Sequence, residues 1–197
     1  SPAEVAQRKL PVIASAGFME ESTGENVMVG TAMGRRSVYQ FGRDLERSPK
    51  GNVDTGLGKN VVYGSFGILP PNKLITQPTE EMLLDGVRFV FHNVPGAEAP
   101  AEMTFSVPEK KVYGGAENLA MTMHNLLPVR GAKVRDALRW AQYMQGALDG
   151  LGESEVYVGQ HNWPMWGKAN IAAFITQHRD VYKYTHDQSV RLMNAGM

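Results

Sequence analysis

Alternating apolar residues in the middle of the chain place the strongest constraint on its fold. In "DGVRFVFHNV", Val87, Phe89 and Phe91 alternate with residues of the opposite face, and the Asp-Gly pair before them supplies a turn. "EMTFSV" and "KKVYGG" form a second strand pair. "KVRDALRWAQYMQGALDGLG", from residue 133, then has the spacing of an amphipathic helix. Paired strands followed by a long helix and another strand predict a layered α/β or α+β sandwich.

Other segments carry local signals of their own. "KLPVIAS" and "SEVYVGQH" have the short apolar runs of buried strands, and "KLITQP" is a further strand candidate. "SPKGNVDTGLGKN" (48–60) is rich in Gly, Pro, Asn and Asp, which predicts a long, functional loop. The tail from about Lys168 to Ala195 predicts two helices. The long helix is expected to present one apolar face, made of Val134, Leu138, Ala141, Met144 and Leu148.

Composition excludes several classes of function. Twenty basic and twenty acidic residues balance, so nothing in the charge favours a nucleic-acid partner or an anionic membrane. The chain has no cysteine, which excludes disulfides and thiolate metal sites. Any metal ion must therefore be held by His, Asp and Glu.

Three such residues follow apolar strand candidates. Glu98, Glu117 and His161 each lie at or just past the end of a strand, and side chains at strand ends converge when the strands share a sheet. Carboxylate and imidazole ligands suit a hydrolytic zinc site. Against this, isolated glutamates in loops are usually solvated. The sequence also contains no HxH, HxxxH or HExxH pair, so both interpretations stay open.

"HNLLPVRG" contains a second candidate constellation. The guanidinium of Arg130 matches the geometry of a sulfate, phosphate or carboxylate, and the amide of Asn125 can add a donor. The alternative is that Arg130 only caps the loop before the helix. His124 fits either an outer-sphere group or a buried polar residue. The two tryptophans of "HNWPMWG" are expected in the core, and the His/Tyr ladder of "HRDVYKYTHDQ" is expected to be the packing face of a helix.

Several long stretches of the chain resemble one enzyme family. They are "APAEMTF", "AEN", "HNLLPVRGAKVRDALRWAQYM", "HNWPMWG" and "RDVYKYTHDQSVRLMNAG". In this order they are similar to the alkylsulfatases of the metallo-β-lactamase superfamily, which hydrolyse dodecyl sulfate and related esters. "LPVIASAGFMEESTGENVMVGTAMGRRSVYQFG" resembles the stretch that follows the metal-binding region of that family.

The resemblance implies a partial αββα sandwich of the metallo-β-lactamase type, with a binuclear zinc centre that activates water. By this resemblance, Glu98 is a zinc ligand, Glu117 bridges or approaches both metals, and His161 is a ligand of the second zinc. It also implies that Asn125 and Arg130 bind the sulfate, and that Tyr63 lines the pocket. Residues 1–167 then form the carboxyl-terminal portion of the catalytic domain, and 168–197 begin a helical dimerisation domain. An alkyl sulfate substrate and a homodimer are expected.

The chain also departs from the family pattern. The family's first metal motif, HxHxDH, does not occur, and Asn162 stands where a second histidine usually follows the ligand histidine. The chain is therefore expected to be a central segment, with the motif on a missing amino-terminal segment or separate chain, and to be inactive without it. The family includes exported bacterial members, which favours a periplasmic or secreted location.

Two other functions stay open at this stage. Three protein ligands do not complete a site for two zinc ions, so the chain could be a non-catalytic subunit that binds an anionic amphiphile or a partner chain. Arg130 would serve a phosphate as well as a sulfate, so a metallo-hydrolase of the same superfamily could act on another ester.

Overall fold

The computed structural model describes residues 1–55, 58–59, 64 and 67–197, which divide into two compact units. The first unit contains Ser1–Leu74 and Leu127–Val134, and the second contains Ile75–Leu126 and Arg135–Met197. The short segment Leu127–Val134 therefore belongs to the first unit, although it interrupts the second unit in sequence.

The first unit is mainly helical. Its elements are α1 (Pro2–Arg8), β1 (Ile13–Ser15), α2 (Phe18–Thr23), a π-helical turn (Gly24–Met28), α3 (Gly30–Gln40) and β2 (Lys73–Ile75), whose last residue is assigned to the second unit. β1 and β2 form a two-stranded sheet. The buried Asn52 donates to the backbone oxygens of Phe41 and Gly42, at 2.7 and 2.8 Å, and so ties the loop after α3 to that helix's end.

The second unit is a sheet with two helices. Its elements are β3 (Thr79–Leu84), β4 (Val87–Asn93), β5 (Met103–Val107), a 3₁₀ turn (Pro108–Lys110), β6 (Val112–Ala116), α4 (Ala137–Asp149), β7 (Val156–Gly159), β8 (Met165–Trp166) and α5 (Lys168–Asn194). The sheet order is β3-β4-β5-β6-β7-β8. Neighbouring strands are antiparallel except β6 and β7, which are parallel and therefore need a crossover that contains α4.

The predicted turn at Asp85-Gly86, the strand after it and the predicted pair of "EMTFSV" with "KKVYGG" are confirmed, whereas the strand before the turn, β3, was not predicted. β3 and β4 join through Asp85 and Gly86, which both have positive φ (49° and 77°), as a two-residue hairpin turn of the primed type requires. β5 pairs with β6 in the antiparallel sense. The strand predicted in "SEVYVGQH" is β7.

Aromatic side chains dominate the core of the second unit. Trp140 of α4 is fully buried and stacks on Tyr182 of α5 with ring centroids 4.4 Å apart. Its indole N–H donates to the Asn118 backbone oxygen at 2.6 Å. Tyr113 and Tyr157 of the neighbouring strands β6 and β7 also stack, 6.4 Å apart. The Tyr157 ring also contacts Phe174 of α5, 5.3 Å away, and all these rings belong to one core cluster. The helices therefore pack on the sheet face that carries these tyrosines.

The helix predictions need three corrections. α4 begins at Ala137 and not near Lys133, because the Asp136 carboxylate accepts from the Arg139 amide and caps the helix there. Val134 lies outside the helix and is 70% exposed, while the buried face contains Trp140, Ala141, Met144 and Ala147. The tail forms one helix of 27 residues, α5, since no residue within it breaks the helical hydrogen bonding.

The prediction that both tryptophans of "HNWPMWG" pack in the core is wrong. Trp163 is 87% exposed and Trp166 is 62% exposed, because Trp166 lies on the edge strand β8 and Trp163 precedes it in a loop. Within the described ranges, no helix combines the length and apolar character needed to cross a bilayer, α5 included. The boundary predicted between a catalytic and a dimerisation domain at residue 168 stays a prediction.

Gly115 in β6 is expected to be essential for packing. A Cβ at this position would lie 2.6 Å from the Tyr157 ring and 2.9 Å from the Leu119 Cβ. We expect Gly115→Ala to lower the free energy of unfolding by about 1–3 kcal/mol, the usual cost of overpacking a core. Urea unfolding followed by circular dichroism measures this change.

Gly146→Ala is the matched control. A Cβ at Gly146, inside α4, meets no atom within 4 Å, and alanine restricts the unfolded chain more than glycine does. We expect this variant to be neutral or more stable by about 0.5–1 kcal/mol. Equal effects of the two substitutions would contradict the packing argument.

His92 is expected to make stability depend on pH. Burial lowers the pKa of His92 below its ordinary value of 6.5, and its Nδ1 lies 3.2 Å from the Thr79 hydroxyl. Below pH 6.5 the unfolded chain therefore binds a proton that the folded chain does not, so stability falls as the pH drops. His92→Gln should reduce the stability difference between pH 7.5 and 5.5, whereas His186→Gln on α5 should leave it closer to wild type. Identical pH profiles for His92→Gln and wild type would refute this role.

Candidate metal centre

The parallel pair β6–β7 brings two of the predicted residues together. Glu117 directly follows β6 and His161 follows β7, and the carboxyl ends of parallel neighbours meet at one sheet edge. A register shift between Gly114 and Ala116, and positive φ at Ala116 (48°) and His161 (68°), turn the chain at this edge. The His161 Nε2 lies 3.0 Å from the Glu117 Oε1.

Glu98 comes from the loop between β4 and β5. Backbone hydrogen bonds close this loop. The Val94 amide donates to the Glu102 backbone oxygen at 2.9 Å, and the Gly96 amide donates to the Ala99 backbone oxygen at 2.8 Å. The Glu98 side chain is only 13% exposed. Its carboxylate therefore lies in a fixed, mostly buried loop.

His124 completes the cluster. Glu98, Glu117 and His124 each offer a ligand atom within 4.8 Å of the others, a group that could hold a metal ion. The His124 Nε2 lies 3.2 Å from the Glu117 Oε2 and 3.6 Å from the Glu98 Oε1. Two carboxylates and an imidazole are the hard and borderline donors that divalent metal ions accept, so these residues could hold such an ion.

The Glu117 carboxylate has one histidine on each oxygen. Its Oε2 faces His124 and its Oε1 faces His161. The hydrogen bond with His124 is the main cause that lowers the pKa of Glu117 to about 2, with His161 adding to it against the effect of burial. Glu117 is therefore ionised at any working pH and presents two separate charged oxygens.

Glu102 differs from its acidic neighbours. Burial, helped by the charge of Glu98, raises the pKa of Glu102 to about 8, although backbone amides of Ala99 and Asn118 counteract this. Glu102 is thus largely protonated at neutral pH and accepts from the Glu117 amide at 3.1 Å. Glu102 therefore acts as a structural acceptor beside the cluster.

A buried polar side chain without a hydrogen-bond partner lies next to Glu117 in the sequence. Among the residues that the structure describes, the next residue, Asn118, is 1% exposed, and neither of its side-chain polar atoms has a hydrogen-bond partner. Buried polar groups are normally satisfied by protein, water or a ligand. This observation adds to the donor set in indicating a polar binding site at this edge.

His124 is held from its backbone by α5. The Tyr182 hydroxyl accepts from the His124 amide at 2.9 Å and donates to the His124 oxygen at 3.3 Å. The His124 Nδ1 lies 2.9 Å from the Asn125 Oδ1. In the metal-free chain the His124 Nε2–H donates to the Glu117 Oε2. An imidazole that bound a metal through Nε2 would carry its proton on Nδ1, where the Asn125 Oδ1 would accept it.

The two predicted sulfate-binding residues lie in different units. Asn125, in the second unit, accepts from Arg135 and contacts His124. Arg130, in the first unit, lies 3.4 Å from the Glu25 carboxylate, and its amide donates to Gln40 at 3.1 Å. Tyr63, predicted to line the pocket, lies outside the described residues.

The first unit contains an open, mainly apolar cavity of about 800 Å³. Phe18, Val27, Met33 and Ile68 contribute apolar walls, and Arg130 is on its lining. An apolar cavity with a guanidinium at its wall fits an anion attached to an alkyl chain.

Comparison with known proteins identifies the relatives of this chain. It is 43% identical over 98% of its length to alkyl/aryl-sulfatase BDS1 from Saccharomyces cerevisiae. It is 40% identical over 99% of its length to an (R)-specific secondary-alkylsulfatase from Pseudomonas sp.. The chain is homologous to one segment of the alkylsulfatases. It spans about 30% of the length of each of these two relatives.

A solved alkylsulfatase structure confirms the fold. The stereoselective inverting sec-alkylsulfatase Pisa1 from Pseudomonas sp. superposes with a TM-score of 0.94 at 39% identity, over 100% of this chain and 31% of that protein. The predicted α/β class with a helical carboxyl-terminal segment is thus confirmed. No protein-family model matches the chain.

Sequence reasoning missed two residues of the cluster's surroundings and left a third open. Arg135 was not singled out, and Tyr182 was assigned only to a packing face. His124 was left undecided between two roles. The separation in sequence explains this: Tyr182 lies 58 residues from His124, and Arg135 lies 37 residues from Glu98. No local spacing reveals such contacts.

Glu117 is expected to be essential for metal affinity. We expect Glu117→Gln to weaken Zn²⁺ binding by the 197-residue chain by more than about 100-fold, because it removes a charge between two histidines. Substitutions of residues that only orient a ligand cost up to about 100-fold, so the loss of a ligand should cost more. Competition with a chromophoric chelator measures this affinity. Glu109→Gln, at an exposed position, is the control and should bind like wild type. Unchanged affinity in Glu117→Gln would exclude Glu117 as a ligand.

Proposed function

We propose that this chain carries metal- and sulfate-binding residues of a zinc-dependent alkylsulfatase, which hydrolyses alkyl sulfate esters to alcohol and sulfate. The observation that carries the proposal is the Glu117 carboxylate, whose Oε2 faces His124 and whose Oε1 faces His161. Glu98 belongs to the same group of ligand atoms. Identity of 39–43% to named alkylsulfatases over nearly the whole chain supports it.

Two zinc ions are the proposed cofactors. Glu98, His124 and Glu117 would hold one ion, and Glu117 and His161 would contribute to the second. When bound, zinc acts as a Lewis acid and lowers the pKa of water. The remaining ligands would come from an HxHxDH segment, which is proposed from the family resemblance and does not occur in these 197 residues.

Asn125 is proposed to donate to a sulfate oxygen. Guanidinium groups only donate, so the amide atom that faces Arg135 is the Asn125 Oδ1. The Asn125 Nδ2 is then directed to the other side, as a donor for an anion. Such a fixed dipole stabilises negative charge without reorganising during the reaction.

Arg130 is proposed as the second sulfate-binding residue. Its guanidinium fork suits a tetrahedral oxyanion, and it lies on the lining of the apolar cavity in the first unit. The Glu25 carboxylate next to it would be replaced as partner by the substrate's sulfate, while the alkyl chain occupies the apolar wall.

The cavity also favours a second candidate function. An apolar space of about 800 Å³ with an arginine at its wall would bind an anionic amphiphile even without turnover. A non-catalytic subunit that binds such a ligand, or a partner chain, is therefore the alternative. Homodimerisation through the helical segment, and a periplasmic or secreted location, are further proposals that rest on resemblance.

A chimera tests the activity directly. The 197 residues replace the matching segment of the Pseudomonas secondary-alkylsulfatase, and sulfate release is measured from dodecyl sulfate and from a secondary alkyl sulfate. We expect turnover, a loss in kcat of at least about 100-fold for Glu117→Gln, and a rise in KM of about 10- to 100-fold for Arg130→Gln, the range for a charge-assisted contact. Glu109→Gln and Arg139→Gln, both at exposed positions, should match the unsubstituted chimera.

The outcome separates the two functions. A folded, metal-loaded chimera that hydrolyses neither ester would refute the alkylsulfatase proposal. If that chimera still binds hexyl sulfate below its micellar concentration, and Arg130→Gln weakens the binding, the amphiphile-binding alternative is correct.

A further inference from the structure

Arg135 is a buried guanidinium at the start of the segment that leads into α4. Only 7% of the residue is exposed. A buried charge is tolerated only when it is paired and its hydrogen-bonding groups are satisfied. Its own backbone is fixed, since the Arg135 amide donates to the Leu126 oxygen at 2.9 Å and the Asp136 amide donates to the Gly96 oxygen at 3.2 Å. The side chain therefore starts from a rigid point.

One side of the guanidinium holds Glu98. The Arg135 Nε donates to the Glu98 backbone oxygen at 2.5 Å, and Nη2 donates to the Glu98 Oε1. Backbone and side chain of the same glutamate are thus held at once. Neither contact can shift without the other, so the direction of the carboxylate is set.

The other side holds Asn125. The Arg135 Nη1 donates to the Asn125 backbone oxygen at 2.7 Å and to its Oδ1. The same Oδ1 lies 2.9 Å from the His124 Nδ1, so the amide also orients the imidazole of the cluster. One planar group therefore joins three residues from two loops.

We infer that Arg135 is a positioning residue that sets Glu98 for the metal and Asn125 for the sulfate. The inference rests on the proposed function, because it takes the metal role of Glu98 and the anion role of Asn125 from there. It adds a coupling between the two: metal affinity and sulfate affinity depend on the same guanidinium. A lysine keeps the charge but, as a single ammonium, cannot span both loops with a planar fork.

Metal binding by the 197-residue chain tests the first half. Co²⁺ is the probe, because its visible absorption reports the number and arrangement of its ligands. We expect Arg135→Lys and Arg135→Gln to weaken Co²⁺ binding about 10- to 100-fold, the range for residues that orient ligands, and to change the absorption spectrum. Arg139→Gln, on the first turn of α4 and exposed, is the matched control and should bind within about two-fold of wild type.

Sulfate binding to the Co²⁺-loaded chain tests the coupling. We expect Arg135→Lys and Asn125→Ala each to weaken sulfate binding. The double variant should bind sulfate as well as the single variant with the lower affinity, because both substitutions act through the Asn125 amide. Circular dichroism of the metal-free variants separates positioning from folding. A folded Arg135→Lys variant with weak metal binding supports the inference.

Three outcomes would overturn it. If Arg135→Lys binds Co²⁺ with wild-type affinity and spectrum, Arg135 does not position Glu98, while the metal site stands. If both Arg135 variants are unfolded, the residue's role is structural. If the wild-type chain binds no Co²⁺, the metal part of the proposed function fails, and the role of Arg135 fails with it.

Discussion

The parallel pairing of β6 with β7 is the constraint on which the second unit depends. Parallel neighbours cannot be joined by a tight turn, so the chain must cross over, and the crossover carries α4. The same pairing brings the ends of both strands to one edge, where Glu117 and His161 follow them. The positive φ values at Ala116 and His161 lie at this edge, where backbone conformations of this kind often accompany function.

The aromatic core connects the helices to that edge. Trp140 stacks on Tyr182, and the Tyr182 hydroxyl bonds to both backbone groups of His124. Packing of α4 against α5 therefore positions the hydroxyl that holds the His124 backbone. Since α5 is a single helix of 27 residues, its segment up to Tyr182 carries the residues that are buried in the core and that contact the His124 backbone.

Charge at the site is balanced without an excess of cations. Glu117 is ionised beside two histidines, Glu102 is largely neutral, and Glu98 is paired with Arg135. Such an arrangement holds anionic oxygens close together, which suits a divalent cation. In the first unit, the Arg130 guanidinium lies on the lining of an apolar cavity.

Local sequence determined most of the strands, the hairpin turn and the helix α4, and it indicated Glu117 and His161 after two strands and Glu98 in a loop between two others. Alternation, turn residues and helical spacing act over a few residues, so they are readable without tertiary contacts. Resemblance in long motifs supplied the family, which homology then confirmed. Only the tertiary structure placed His124 in the cluster, joined Glu98 to Asn125 through Arg135, and left Trp163 and Trp166 exposed. These features depend on contacts between residues far apart in the chain, or on which strand is an edge, and neither leaves a local pattern.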